Sequence, residues 1–124
     1  MAVRHPNEIH QAFLDAVNAK DLDAILDLYE PDGIAVGLDG VQHRGEAALR
    51  AMFADLLSVI THFEGSTRRV LVMGDVALTS AEWRGELVGP DGEVQEATGT
   101  TAELLRRQPD GTWRMVVDDP AFTT

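Results

Sequence analysis

The 124-residue chain is 44% hydrophobic, which suits one globular domain with a real core and excludes a disordered chain. Its formal net charge of −11 leaves no basic stripe for nucleic acid or an anionic membrane surface, since Arg68-Arg69 and Arg106-Arg107 are isolated pairs. Cysteine is absent, so disulfides, thiolate nucleophiles and Cys-ligated metals are excluded.

In chain order, Ile9, Phe13, Ala16 and Val17 share one face at helical spacing and predict a helix from Pro6 or Asn7 to Ala19, with Asn7 as N-cap. Asp21 caps a second helix, Leu22 to Tyr29, with Leu22, Ile25, Leu26 and Tyr29 inward. Pro31-Asp32-Gly33 reads as a turn, "IAVGL" (34–38) as a strand, and Asp39-Gly40 as a hairpin turn into Val41-Gln42-His43. A third helix runs from Glu46 to Ser58 with Leu49, Met52, Phe53, Leu56 and Leu57 as its apolar stripe. Four strand-rich stretches follow, divided by Gly74-Asp75, Pro90-Asp91-Gly92 and Pro109-Asp110-Gly111. Three helices before four long strands make an α+β domain over residues 1–124, helices on one face of an antiparallel sheet.

Alternation assigns the faces. Ala81, Trp83 and Leu87 are apolar against charged Glu82, Arg84 and Glu86, so the odd positions face the helices. In the next strand Thr98, Thr100, Ala102 and Leu104 share a parity and are placed inward, and in the last strand Trp113, Met115 and Val117. Two threonines on this face suggest a polar spot in a cavity, although threonine also favours strands for their own sake.

"NAKDLDAILDLYEPD", "RGEAALRAMF" and the "PDGTW" hairpin before the last strand, in this order, resemble the nuclear transport factor 2-like superfamily, and within it the SnoaL-like and ketosteroid-isomerase-like proteins. The resemblance covers nearly the whole chain. It implies a cone-shaped α+β barrel of the cystatin-like type, in which three N-terminal helices pack on a strongly curved antiparallel or mixed sheet around a deep apolar pocket. It also implies a homodimer through the outer sheet face. Phe13, Tyr29, Gly37, Met52, Phe53, Trp83, Thr98, Thr100, Ala102, Leu104, Trp113 and Met115 are the expected pocket lining. The three ketosteroid isomerase positions fall on Phe13, Gly37 and Ala102, or on Glu103 with a one-residue slip, so the standard tyrosine, base and oxyanion acid are unfilled in the most natural alignment.

Other residues are candidates for the acid–base work. Asp39 shares the parity of Gly37 nearer the mouth, although Asp-Gly is also a common turn in which the aspartate bonds its own backbone. His43 and His62 are the candidate general bases, and Tyr29, the single tyrosine, the candidate donor; the resemblance implies that either histidine could pair with Asp39 or Asp118 in a dehydratase-like dyad. Asp118-Asp119 reads either as a carboxylate pair whose repulsion raises one pKa or as a solvated strand end. The histidines lack metal-helix spacing, no GxSxG occurs, and "GLDG" and "GPDG" are turns rather than phosphate loops, so neither metal nor cofactor is expected.

The expected function is a pocket protein for an apolar, polycyclic or polyketide-like small molecule: a cofactor-independent acid–base enzyme of isomerase, cyclase or dehydratase type. The alternative is a non-catalytic binding or accessory protein using the same pocket. The acidity would repel anionic substrates unless an arginine faced that pocket. No apolar run reaches the ~20 residues of a membrane helix, and "MAVRHPNEIH" lacks a signal-peptide core, so a cytoplasmic location is expected. One lysine against nine arginines suggests a GC-rich bacterial genome.

Overall fold

The computed structural model describes residues 2–123. After a 3-10 turn at Pro6–Glu8, helices α1 (Ile9–Asn18), α2 (Leu22–Leu26) and α3 (Glu46–Val59) pack on a single curled, open sheet. Its strands are β1 (Tyr29–Val36), β2 (Gln42–Arg44), β3 (Ile60–Met73), β4 (Val76–Val88), β5 (Val94–Thr100), β6 (Ala102–Arg107) and β7 (Trp113–Asp119). They run in the order β2-β1-β7-β6-β4-β3, with β5 also on β4. All pairs are antiparallel except β1 with β7, so the sheet is mixed. No helix among the described residues is long and apolar enough to cross a membrane.

The helix ends follow local chemistry. Asp21 caps α2 by accepting from the Ala24 amide at 3.1 Å. Lys20, at φ 57°, ends α1 in the left-handed region, and its ammonium donates to the carbonyls of Leu57 and Ile60 at the end of α3. The core joins Ile9 and Val17 of α1, Ile25 of α2, Leu49 and Phe53 of α3, and Tyr29, Ala35, Ala77, Leu105, Trp113 and Met115 of the sheet.

Four local expectations are corrected by tertiary pairing. α2 stops at Leu26, and Tyr29 opens β1 opposite Met115, because the Met115 amide donates to the Leu28 carbonyl and draws the chain into the sheet. Pro31-Asp32-Gly33 lies inside β1 as an irregularity rather than a turn: the register against β7 shifts between Tyr29 and Ile34. The stretch after Pro90-Asp91-Gly92 is two strands around Thr101, with the register on β4 unbroken, since Thr100 faces Glu82 and Glu103 faces Thr79.

The fourth correction decides what enters the interior. Residues opposite each other on paired strands share a face, and the partner of inward Trp83 is Gly99. Gly99, Thr101, Glu103 and Leu105 therefore point inward, and Thr98, Thr100, Ala102 and Leu104 do not. The tryptophan dictates this register, because a Cβ at Gly99 would lie 2.5 Å from Trp83 Nε1 and 2.5 Å from the Pro120 carbonyl oxygen. The change Gly99→Ala is expected to destabilise the fold by about 1–3 kcal/mol. Urea unfolding measures this, and a shifted tryptophan emission should accompany it as Trp83 is displaced.

Candidate functional site

Between the helices and the concave face of the sheet lies a cavity of about 500 Å³. Phe13, Met52, Phe53, Phe63, Trp83 and Met115 supply much of its apolar wall, with Gly37 at one side. The rings form a chain, with centroids 5.9 Å apart for Phe13–Phe53 and Phe13–Phe63 and 5.5 Å for Phe63–Trp83. The exposed lining residues are Leu38, Asp39, Asp55, Val59, Gly65, Ser66 and Glu82.

One rung of the sheet carries polar groups across this apolar face. His43 pairs with Ala35, Ala35 with Asp118, Asp118 with Glu103, and Glu103 with Thr79. Strand β7 reaches this rung through a bulge: Leu104 faces Val117 but Leu105 faces Met115, which leaves Val116 over. The extra residue reverses the parity, so Trp113, Met115 and then Asp118 point inward and Val117 points out. Val117 was expected inside; the bulge puts the carboxylate there instead.

The two carboxyl groups are held differently. Glu103 Oε1 accepts from the Thr79 hydroxyl and lies 2.6 Å from both Thr79 Oγ1 and His10 Nε2. His10 Nδ1 is 2.8 Å from Thr67 Oγ1, so both ring nitrogens are engaged. Asp118 Oδ2 accepts from the Tyr29 hydroxyl at 2.5 Å. No hydrogen bond among the described residues engages Glu103 Oε2 or Asp118 Oδ1, and no buried side-chain nitrogen or oxygen among them lacks a partner. Both free oxygens therefore reach the cavity surface.

Burial raises the Asp118 pKa to about 7, helped by the neighbouring Glu103 and Asp119 charges and opposed by the Tyr29 hydrogen bond and His10. Burial, followed by Asp118 and Glu103, lifts the Tyr29 hydroxyl well above its ordinary value. One rung thus pairs a carboxyl group that is half protonated near neutral pH with a second carboxyl group anchored by His10 and Thr79.

The structure distributes the sequence-derived candidates as follows. Asp39 and His43 line the cavity near its opening, where Asp39 Oδ1 accepts from the Val41 amide at 3.0 Å. That oxygen also lies 2.8 Å from where a Cβ at Gly37 would be, so Asp39 folds back over the glycine. His62 does not join them: β3 begins at Ile60, and the register places His62 opposite Glu86 on the outer face, 3.1 Å from Glu64. Tyr29 lies behind the cavity wall, its ring tilted on Phe53 at 5.4 Å, and reaches the site through its hydroxyl. Trp113 is core rather than wall, and Thr98, Thr100, Ala102 and Leu104 face away.

His10 was not among the candidate residues; Glu103 entered only as the one-residue-slip alternative for the oxyanion acid, and Asp118 only as half of a carboxylate pair or as a histidine's partner. A glycine opposite a tryptophan was the available signal for Glu103, since it fixes the parity of the next strand. The Asp118-Asp119 pair was visible, but the bulge at Val116 that turns Asp118 inward was not. Among the described residues no group of three or more His, Asp or Glu side chains is arranged to hold a metal ion.

Since the folded-state pKa of Asp118 lies above its unfolded value of 3.8, the folded protein keeps a proton that the unfolded chain releases. Its contribution to stability therefore declines as pH rises from about 4 to about 7 and is flat above, with a slope of at most about 1.4 kcal/mol per pH unit. Replacement Asp118→Asn should remove this slope and leave the variant the more stable protein at pH 8, as read by urea unfolding across pH.

A family model described as the SnoaL-like domain matches residues 10–119. No curated protein matches the chain. Among solved structures, a ketosteroid isomerase-like protein from Erwinia carotovora atroseptica superposes with a TM-score of 0.81 at 21% identity, covering 90% of this chain and 88% of that one. A nuclear transport factor 2-like superfamily protein from Salmonella enterica gives 0.78 at 19% identity, covering 95% and 90%. A protein with a cystatin-like fold from Caulobacter vibrioides gives 0.75 at 20% identity, covering 94% and 85%. At these identities the structural likeness concerns the fold alone. The matched domain, which spans most of the sequence, and the curled sheet under three helices place this chain in the SnoaL-like domain family of the nuclear transport factor 2-like superfamily.

Proposed function

We propose that the protein is a cofactor-independent acid–base enzyme acting on an apolar, ring-bearing carbonyl compound held in the cavity. The observation that carries this reading is the pairing of Glu103 and Asp118 on adjacent strands, each with one free oxygen toward an apolar cavity. Directly opposed residues stand about 5 Å apart at Cβ, close enough for two carboxyl groups to act on one small ligand. Asp118, protonated, donates its hydrogen to the carbonyl oxygen while Glu103 Oε2 removes a proton from the adjacent carbon. The C–H electrons form the C=C bond of an enol, and the C=O π electrons take the Asp118 proton. Return of the proton at another carbon gives an isomer, and loss of a β-substituent gives an elimination product. His10 and Thr79 fix the Glu103 carboxylate, and Tyr29 fixes Asp118.

This chemistry can be tested before the natural substrate is known. The protein should accelerate exchange of the α-protons of a neutral aryl ketone such as tetralone in deuterium oxide, followed by proton NMR. Glu103→Gln should lower that rate by about 10²–10⁴-fold and Asp39→Asn by much less. Tight ketone binding with no exchange would instead favour the non-catalytic binding protein.

The assembly proposed is a homodimer through the outer sheet face. Leu71, Leu78, Leu104, Val117 and Ile34 form one outward rung across five strands, with Leu78 51% and Leu104 39% exposed and Met73 beside it 82% exposed. Five strands span about 20 Å, the scale of a stable interface, and a second copy offers the same self-complementary strip. The change Leu78→Glu should shift the mass measured by light scattering from dimer to monomer.

A further inference from the structure

The charged groups that line the cavity are nearly all of one sign. Asp39, Asp55, Glu103 and Asp118 line it, against two histidines and no arginine or lysine; Glu82 also borders it, but its carboxylate belongs to the outer face, 3.7 Å from Arg68. Of the histidines, His10 already has both ring nitrogens engaged. Nearby guanidinium groups are turned elsewhere: Arg84 bonds Glu64 and Glu96, Arg106 bonds Glu30, and Arg114 donates to the Tyr29 carbonyl. Of the donors around the inner end, Tyr29 is spent on Asp118, Thr79 on Glu103, and Trp83 Nε1 on the Pro120 carbonyl at 2.7 Å, while Thr101 Oγ1 accepts from the Ala81 amide. Against these, Glu103 is only 2% exposed yet presents an unpartnered oxygen to the cavity.

An anionic ligand would thus leave water for an apolar space with no cation to meet it and a fixed carboxylate beside it. A neutral ligand escapes that penalty. A cationic one gains the carboxylates and the faces of Phe13, Phe53, Phe63 and Trp83. We infer that the cavity sorts its ligands by charge, admitting uncharged or cationic ring compounds and rejecting carboxylates, sulfonates and phosphates of the same skeleton, with Glu103 and Asp118 as the specificity-determining residues. The inference rests on the cavity being the ligand site, as proposed above, but not on any chemistry taking place there.

Calorimetric titration at pH 8 and low salt with methyl naphthyl ketone, naphthylmethylamine and naphthoate tests it. The ketone and the amine should bind, and naphthoate should bind at least about 100-fold more weakly than the ketone. In Glu103→Gln/Asp118→Asn that gap should close to below tenfold; should the double variant not fold, Asp118→Asn alone should still narrow it severalfold. Naphthoate binding as tightly as the ketone, or a gap unchanged in the variants, overturns the inference. Failure of all three probes to bind overturns it together with the cavity as ligand site. The expected order of binding without proton exchange supports the charge selection while removing the acid–base reading.

Discussion

Two carboxyl groups placed side by side on the apolar face of a sheet would ordinarily be expelled to water, and much of this molecule is arranged so that they are not. Burying a carboxylate unpartnered costs several kcal/mol, and the neighbouring Glu103 raises the cost of ionising Asp118. The fold offsets this with donors from several elements: His10 from α1, Tyr29 from β1 and Thr79 from β4, with Thr67 of β3 fixing the far side of the histidine. Each of these residues is anchored by its own packing, so the position of the pair depends on the whole domain being folded.

The two carboxyl groups reach that rung by different means. Glu103 follows from strict alternation once Trp83 covers Gly99, because the parity of β6 is then fixed through Thr101. Asp118 needs alternation to be broken, and the bulge at Val116 breaks it. The same two events send Leu104 and Val117 outward to complete the apolar rung on the opposite face. Interior carboxylates and exterior leucines are thus two consequences of one register.

A polar pair in an apolar cavity is a poor choice for stability alone, since shape-matched hydrophobic residues would do as well or better. The arrangement raises the pKa of one carboxyl group toward neutrality and leaves two oxygens unspent, features that packing does not need. Asp39, by contrast, spends an oxygen on its own turn while filling the space above Gly37. It closes the wall beside Gly37.

By itself the sequence determined the helices, the turn-separated strands and the inward parity of β4, because these rest on local periodicity and on Asp, Gly and Pro chemistry within a few residues. The quoted motifs also pointed to the superfamily, being the cap, turn and core positions that define the fold. Only the tertiary structure decided which side chains meet inside. His10 lies 93 residues from Glu103, and although Glu103 and Asp118 lie on consecutive strands, their pairing depends on the bulge at Val116. A side-chain period of two makes a strand's face depend on a single residue of register. Pairing with a neighbouring strand sets that residue, so the one-residue difference at Gly99 and at Val116 was settled by packing, and with it the chemistry of the cavity.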